Sequence, residues 1–222
     1  MSTSIAHAAE RVDLALVLLS DVSRSIDESE FQLEKQGYAA ALEDARVLAA
    51  IKAGVNSSIA VAYVEFAGPD QVTVVADWRV LRDLASAKSF ADALLAAPRS
   101  AYGRTAIGTG VTFARAELAR APVEAARQVI DVAGDGTSNI GRDVSSARDE
   151  AVAAGITING LAIINDHPRS FLFAHVQPPG GLTAWYAQNV AGGPASFVLE
   201  VHDFAAIRAA MIRKLVSEIA LR

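Results

Sequence analysis

Apolar residues follow two spacings that alternate along this chain. Residues 12–19 are almost continuously apolar, which is typical of a strand buried on both faces of a parallel sheet. Later β-rich runs span residues 58–66, 71–78, 128–133, 157–164 and 196–201. Between these runs the apolar positions recur at helical spacing, which predicts amphipathic helices. The alternation predicts an α/β fold with a mostly parallel sheet.

The ends of the predicted helices are marked by capping residues and breakers. Asp27–Glu30 has the form of a capping box and opens a helix whose apolar face continues from Phe31 to Ala49, before Gly54. Further helices are predicted before Pro98 and over residues 107–118, 143–154 and 204–219.

A turn at residues 68–70 separates the second and third predicted strands, so these two should form a hairpin at one edge of the sheet. We therefore expect a three-layer, Rossmann-like fold: a mostly parallel central sheet with one antiparallel edge strand and helices on both faces. Residues 165–194 are predicted to form a long loop rich in proline and glycine, which follows a strand and should lie over its carboxyl end.

Length and composition favour one large domain. The chain has 222 residues, of which 52% are hydrophobic, so it can bury a sizeable core. We assign this domain to residues 11–222 and expect residues 1–10 to be disordered. Ala6-His7-Ala8 has the small-x-small form of a signal-peptide cleavage site, although a frayed polar terminus explains it equally well. The protein is expected to be periplasmic or secreted if a targeting segment has been removed, and cytoplasmic otherwise.

Charge and residue usage exclude several classes of function. The net charge is −5 and the sequence shows no basic stripe, which argues against nucleic-acid binding. Without cysteine the chain has no disulfide, thiolate metal site or cysteine nucleophile. No stretch of sequence is long and apolar enough for a membrane span.

Polar side chains follow the first buried strand in an alternating pattern. Asp21, Ser23 and Ser25 come just after residues 12–19, and ligands in open α/β sheets bind at the carboxyl ends of strands. Thr105 lies in a glycine-flanked loop before a predicted helix, and Asp135 follows the strand at 128–133. Hard oxygen ligands of this kind suit Mg²⁺, Mn²⁺ or Ca²⁺.

Taken in order, these residues resemble the metal-ion-dependent adhesion site of the von Willebrand factor A domain family. The family pattern of Asp-x-Ser-x-Ser, a later Thr and a later Asp is matched by Asp21, Ser23, Ser25, Thr105 and Asp135. The chain departs from it at Gly134, where the family usually has Thr. Several short sequence segments also resemble an uncharacterised bacterial branch of usually exported A-domain proteins. These segments are residues 21–27, 37–42, 63–66, 192–194 and 213–215.

The resemblance implies a metal-dependent binding module rather than an enzyme. Mg²⁺, or Mn²⁺ or Ca²⁺ in its place, would be held by these five residues, and an Asp or Glu of a partner protein would complete its coordination. The long loop at residues 165–194 would then contribute specificity.

Two other functions remain open from the residues alone. The first is a Mg²⁺-dependent hydrolase or phosphatase of haloacid-dehalogenase type, with Asp21 as nucleophile. Such enzymes need a second aspartate as general acid where this chain has Ser23. The second is a structural scaffold whose metal site is vestigial.

Other polar and aromatic residues offer weaker candidates. The four histidines show no metal-binding spacing, and Asp166 is either an auxiliary acid or a solvated turn residue. Arg24 either attracts an acidic partner or forms a surface ion pair. Trp185 and Tyr186 form either a recognition patch or a buried anchor for the long loop.

Overall fold

The computed structural model describes residues 9–164, 178–202 and 206–221. Its main sheet has six strands within this part of the chain, which lie side by side in the order 72–81, 59–66, 14–21, 128–134, 157–164 and 198–202. The strands are β2 (Leu14–Asp21), β3 (Ile59–Phe66), β4 (Val72–Leu81), β6 (Gln128–Gly134), β7 (Thr157–Ile164) and β8 (Val198–His202). All neighbouring pairs are parallel except β3 with β4, so the predicted mostly parallel sheet with an antiparallel edge strand is confirmed.

Seven helices lie within the described residues and cover both faces of this sheet. They are α1 (Glu28–Leu42), α2 (Ala45–Lys52), α3 (Leu84–Ala96), α4 (Ile107–Ala119), α5 (Val144–Ala153), α6 (Leu182–Asn189) and α7 (Ile207–Ala220). None of the helices in these parts of the chain is long and apolar enough to cross a membrane.

Side chains of β2 alternate between two separate cores because successive residues of a strand point to opposite faces. Leu14, Leu16 and Leu18 pack with α1, α2, α3 and α7. Val17 and Leu19 pack with α4, α5 and α6 on the other face. Every residue of β2 is buried, which explains why its sequence is continuously apolar up to its carboxyl end.

Three local features differ from the sequence-based expectations. The first predicted helix is broken after Leu42, because Asp44 caps a new helix, α2, by accepting a hydrogen bond from the Arg46 N–H at 3.0 Å. The predicted loop at 165–194 contains α6, while residues 165–177 lie outside the described part of the chain. A small parallel sheet pairs β1 (Glu10–Val12) with β5 (Val123–Ala125), and neither strand was predicted as such.

The amino-terminal segment that we expect to be disordered, residues 1–10, lies largely outside the described residues. Residues 1–8 of the segment expected to be disordered are not described, whereas Glu10 already begins β1 and pairs with Val123.

Candidate metal centre

Three loops meet at the carboxyl ends of β2 and β6, which are neighbours in the sheet. Asp21 is the last residue of β2, and Asp135 directly follows β6. Thr105 lies in the loop before α4, which is held against the other two loops by backbone hydrogen bonds. The Arg24 N–H donates to the Gly103 carbonyl at 2.9 Å, and a second bond links Thr105 to the loop after β6.

The five predicted site residues form one connected group. The Ser23 backbone N–H donates to Asp21 Oδ1 at 2.7 Å, and Thr105 Oγ1 donates to Ser23 Oγ at 3.1 Å. The hydroxyls of Ser23 and Ser25 lie 3.0 Å apart, and Ser25 Oγ donates to Asp135 Oδ1 at 2.9 Å. The structure therefore brings together two carboxylates and three hydroxyls from three segments that are separate in the sequence.

Burial and chemistry of this group fit a hard cation. The exposed fraction of the five residues runs from 0% for Asp21 to 7% for Ser25. In the described parts of the chain, no three His, Cys, Asp or Glu side chains come together in a group that could hold a metal. Two carboxylates and three neutral hydroxyls instead supply the oxygen ligands that Mg²⁺ and Ca²⁺ prefer.

The loop that carries Asp21, Ser23 and Ser25 is clamped by Arg99. Its guanidinium donates to the carbonyls of Val22, Ser23 and Ile26, at 2.6, 2.8 and 3.0 Å. Arg99 also lies over the ring of Phe31, 5.4 Å from its centroid. Because a single planar group binds three carbonyls of one loop, it fixes the loop's course without using a ligand oxygen.

Asn139 holds the loop of Thr105 in a similar way. The Thr105 N–H donates to Asn139 Oδ1 at 3.1 Å, and the Asn139 N–H donates to the Thr105 carbonyl at 2.9 Å. This reciprocal pair joins the loop before α4 to the loop after β6. Two of the three segments that supply the site are therefore tied together directly.

Two buried acidic or phenolic side chains lie behind the five residues. Glu34 of α1 accepts a hydrogen bond from Ser20 Oγ at 2.6 Å. Burial raises the pKa of Glu34, and the nearby charges of Asp21 and Asp135 add to this effect, so that the pKa reaches about 8. Tyr186 of α6 is fully buried, and burial together with the same two aspartates raises its pKa well above 10.

The weaker sequence candidates in the described part of the chain are not among the five residues of this group. Tyr186 is buried and Trp185 packs against the core, so these two do not form an exposed patch. His202 is exposed and lies 2.7 Å from Glu200. Arg24 is exposed beside the site, whereas Asp166, His167 and His175 lie outside the described residues.

Arg99, Glu34 and Asn139 are residues that sequence reasoning missed, and it named Tyr186 only as part of a recognition patch or a buried anchor of the long loop. Arg99 and Tyr186 reach the site from parts of the chain that are distant in the sequence, and none of these four residues belongs to a recognisable motif. The one available signal was the charged Arg99 in a proline-flanked loop, which is too common a feature to single out.

Solved structures of other proteins share this fold. The fold is that of a von Willebrand factor A domain, as seen in proximal thread matrix protein 1 from the mussel byssus, solved with a zinc-occupied metal-ion-dependent adhesion site motif. That structure has a TM-score of 0.68 and 17% identity, over 96% of this chain and 50% of the mussel chain. This chain therefore spans about half the length of that protein.

Two bacterial structures show the same fold. The von Willebrand factor type A structure from Catenulispora acidiphila has a TM-score of 0.60 and 16% identity, over 94% of this chain and 42% of that chain. An aerotolerance-related membrane protein from Bacteroides fragilis has a TM-score of 0.55 and 20% identity, over 92% of this chain and 99% of that chain. At identities this low, the similarity between these structures and this chain is a similarity of fold alone.

The chain belongs to the family described as a protein of unknown function, DUF1194, whose sequence model matches residues 11–222. No curated protein matches the chain.

Proposed function

We propose that this chain is a metal-dependent protein-binding module. In this proposal a divalent cation is held by Asp21, Ser23, Ser25, Thr105 and Asp135, and it captures an Asp or Glu side chain of a partner protein. One observation carries the proposal. Five buried residues whose side-chain oxygens can bind a metal form a hydrogen-bonded group on three loops, at the carboxyl edge of a parallel sheet.

The charges at this group explain why a partner's carboxylate is the expected ligand. Asp21 and Asp135 together balance the two charges of a divalent cation, and the three hydroxyls add no charge. The occupied site would therefore carry no excess negative charge that repels an incoming carboxylate. Mg²⁺ takes about six oxygen ligands, so positions remain for water or an incoming group. When bound, the cation supplies a Lewis-acidic centre that attracts an anionic oxygen.

The chain's own residues hold this centre in a fixed geometry. Arg99 fixes the loop of Ser23 through three carbonyls, and Asn139 fixes the loop of Thr105. Preorganised ligands lose little conformational entropy when the cation or the partner binds. Arg24, which is exposed beside the site, adds a positive charge that favours an acidic partner.

The structural neighbours support two parts of the proposal: a metal ion at this site and a location outside the cytoplasm. The mussel protein carries zinc in its adhesion-site motif, and another neighbour, with 12% identity, is the pilus adhesin SpaC from Lactobacillus rhamnosus GG. For this chain the hydroxyl and carboxylate donors favour Mg²⁺, Mn²⁺ or Ca²⁺ over zinc. By the same likeness we propose that the protein acts outside the cytoplasm.

We also propose that the module is not an enzyme. A dehalogenase-type reaction with Asp21 as nucleophile needs a general acid two residues later, and Ser23 cannot supply one. The Ser23 hydroxyl instead accepts a hydrogen bond from Thr105 within the metal-site group. No observation favours the hydrolase alternative.

The metal assignment is tested by titration calorimetry with MgCl₂ and MnCl₂ on protein freed of metal by EDTA. We expect the wild type to bind one cation, and Asp21→Ala and Asp135→Ala to lose that binding. Asp149→Ala, which removes an exposed aspartate of α5, is the matched control and should bind as the wild type does. Equal binding by all four proteins would refute the site.

The partner is tested separately by affinity capture in Mg²⁺ and in EDTA, with wild type and Asp135→Ala as baits. A protein retained by the wild type in Mg²⁺ alone supports the proposal. Capture at full strength in EDTA would show that the partner binds elsewhere.

A further inference from the structure

The hydroxyl of Tyr186 lies at the edge of the candidate metal centre. A Cβ atom added to Gly134 would lie 2.6 Å from this hydroxyl and 3.1 Å from Asp21 Cβ, and it would lie 3.3 Å from Asp21 Oδ2. The phenol and the carboxylate of Asp21 therefore border the same small space beside Gly134. A side chain at position 134 would require the phenol or the carboxylate to shift.

This hydroxyl has no hydrogen-bond partner among the residues that the structure describes, although Tyr186 is fully buried. Buried polar groups without a partner are rare in native proteins and call for an explanation. The hydroxyl keeps its proton at neutral pH, because burial and the charges of Asp21 and Asp135 raise the pKa of Tyr186. It is therefore a buried hydrogen-bond donor that borders the same space beside Gly134 as the carboxylate of Asp21.

A comparison with Tyr38 shows what is particular to Tyr186. The hydroxyl of Tyr38 is also buried without a partner. The charged groups around Tyr38 are Asp131, Glu34 and Glu218, and neither aspartate of the metal centre is among them. Of these two tyrosines, Tyr186 alone has its hydroxyl beside Asp21.

We propose that Tyr186 is a positioning residue of the metal centre, and this inference rests on the proposed function. With a cation bound, its hydroxyl would be available to donate a hydrogen bond to a water that the cation holds near Asp21. Mg²⁺ usually keeps several of its waters, and groups that bind to ligands from outside the first shell orient them and strengthen metal binding. The bound cation thus gives the buried hydroxyl its partner.

The test compares Tyr186→Phe with Tyr38→Phe, since each change removes one buried hydroxyl and leaves the ring in place. Calorimetric titration with MgCl₂ should show about tenfold weaker binding for Tyr186→Phe, at the lower end of the effect of such outer-shell groups. Tyr38→Phe should bind as tightly as the wild type. In EDTA both variants should unfold at urea concentrations equal to or higher than the wild type, because each loses an unpartnered hydroxyl.

A spectroscopic measurement reports on the hydroxyl itself. Adding Mg²⁺ to the wild type should perturb the near-ultraviolet absorption of tyrosine, because the phenol gains a hydrogen-bond acceptor. The change should persist in Tyr38→Phe and disappear in Tyr186→Phe.

The outcomes separate this inference from the proposed function. If Tyr186→Phe binds Mg²⁺ as the wild type does while Asp21→Ala does not, the metal site stands and the role of Tyr186 is refuted. If the wild type itself binds no cation, the proposed function fails and this inference fails with it.

Discussion

Glu34 is a buried acid that stays protonated near neutral pH, because burial and the charges of Asp21, Asp135 and Glu65 raise its pKa to about 8. The hydrogen bond from Ser20 works in the opposite direction but is outweighed. In the unfolded chain the same group ionises near its ordinary value of 4.5. Between these two values the folded state binds one proton more than the unfolded state, so the contribution of Glu34 to stability falls as the pH rises.

Replacing this acid should therefore flatten the dependence of stability on pH. In Glu34→Gln the neutral amide can still accept the Ser20 hydrogen bond, but it does not titrate. In EDTA, we expect the stability of the wild type relative to the variant to fall between pH 5 and pH 8, by up to about 1.4 kcal/mol per pH unit. Urea unfolding at several pH values measures this difference.

The control is Glu28→Gln, which changes an exposed glutamate of the same helix. Its difference from the wild type should stay constant over the same range of pH. If the Glu34→Gln difference is equally constant, Glu34 ionises at the same pH in the folded and unfolded states, contrary to the effect of its burial.

At the scale of single elements, α7 is anchored to the sheet by a buried charge cluster. Lys214 Nζ lies 2.6 Å from Asp131 Oδ1 of β6 and 2.5 Å from Glu218 Oε1. Asn159 of β7 adds a hydrogen bond to Glu218 at 2.8 Å. Burial alone would lower the pKa of Lys214, but the two carboxylates raise it, so the lysine remains charged.

Removing that lysine should be costly because it leaves carboxylates buried without their cation. We expect Lys214→Ala to lower the free energy of unfolding by about 3–5 kcal/mol, measured by urea denaturation. Lys88→Ala is the matched control, since Lys88 also pairs with an acid four residues later, Asp92, but on an exposed helix face. That change should have no measurable effect. Losses of similar size in both variants would contradict the role of burial.

The sequence predicted most strands and helices correctly but missed interruptions within helical patterns. The apolar spacing from Phe31 to Ala49 continues across the break after Leu42, because α1 and α2 both pack against α7. Periodicity therefore cannot detect a break that the cap at Asp44 creates. Helix α6 was missed for a different reason: prolines and glycines on both sides of residues 182–189 made the whole segment resemble a loop.

At the scale of the whole molecule, the parallel sheet made the candidate site predictable. The carboxyl ends of neighbouring parallel strands lie at one edge, so polar residues after β2 and β6 had to come close together. The supporting residues could not be predicted in the same way. Arg99 and Tyr186 reach the site from α3's following loop and from α6, and only the packed structure brings these elements to the loops of Ser23 and Asp135.

The proposed cation should also stabilise the whole fold, because it would link loops that belong to separate elements. A ligand that binds only the folded state adds about 2.7 kcal/mol to the free energy of unfolding when its concentration is 100 times its dissociation constant. We therefore expect urea unfolding of the wild type to shift to higher urea as MgCl₂ is added, and to return in EDTA.

The net charge of −5 attracts any divalent cation weakly, so NaCl of equal ionic strength is the control for screening. Asp135→Ala should respond to MgCl₂ only as it does to NaCl, because it lacks the carboxylate that joins the loop after β6 to Ser25. A shift of the same size in the variant and the wild type would mean that Mg²⁺ acts on the surface and does not link these loops.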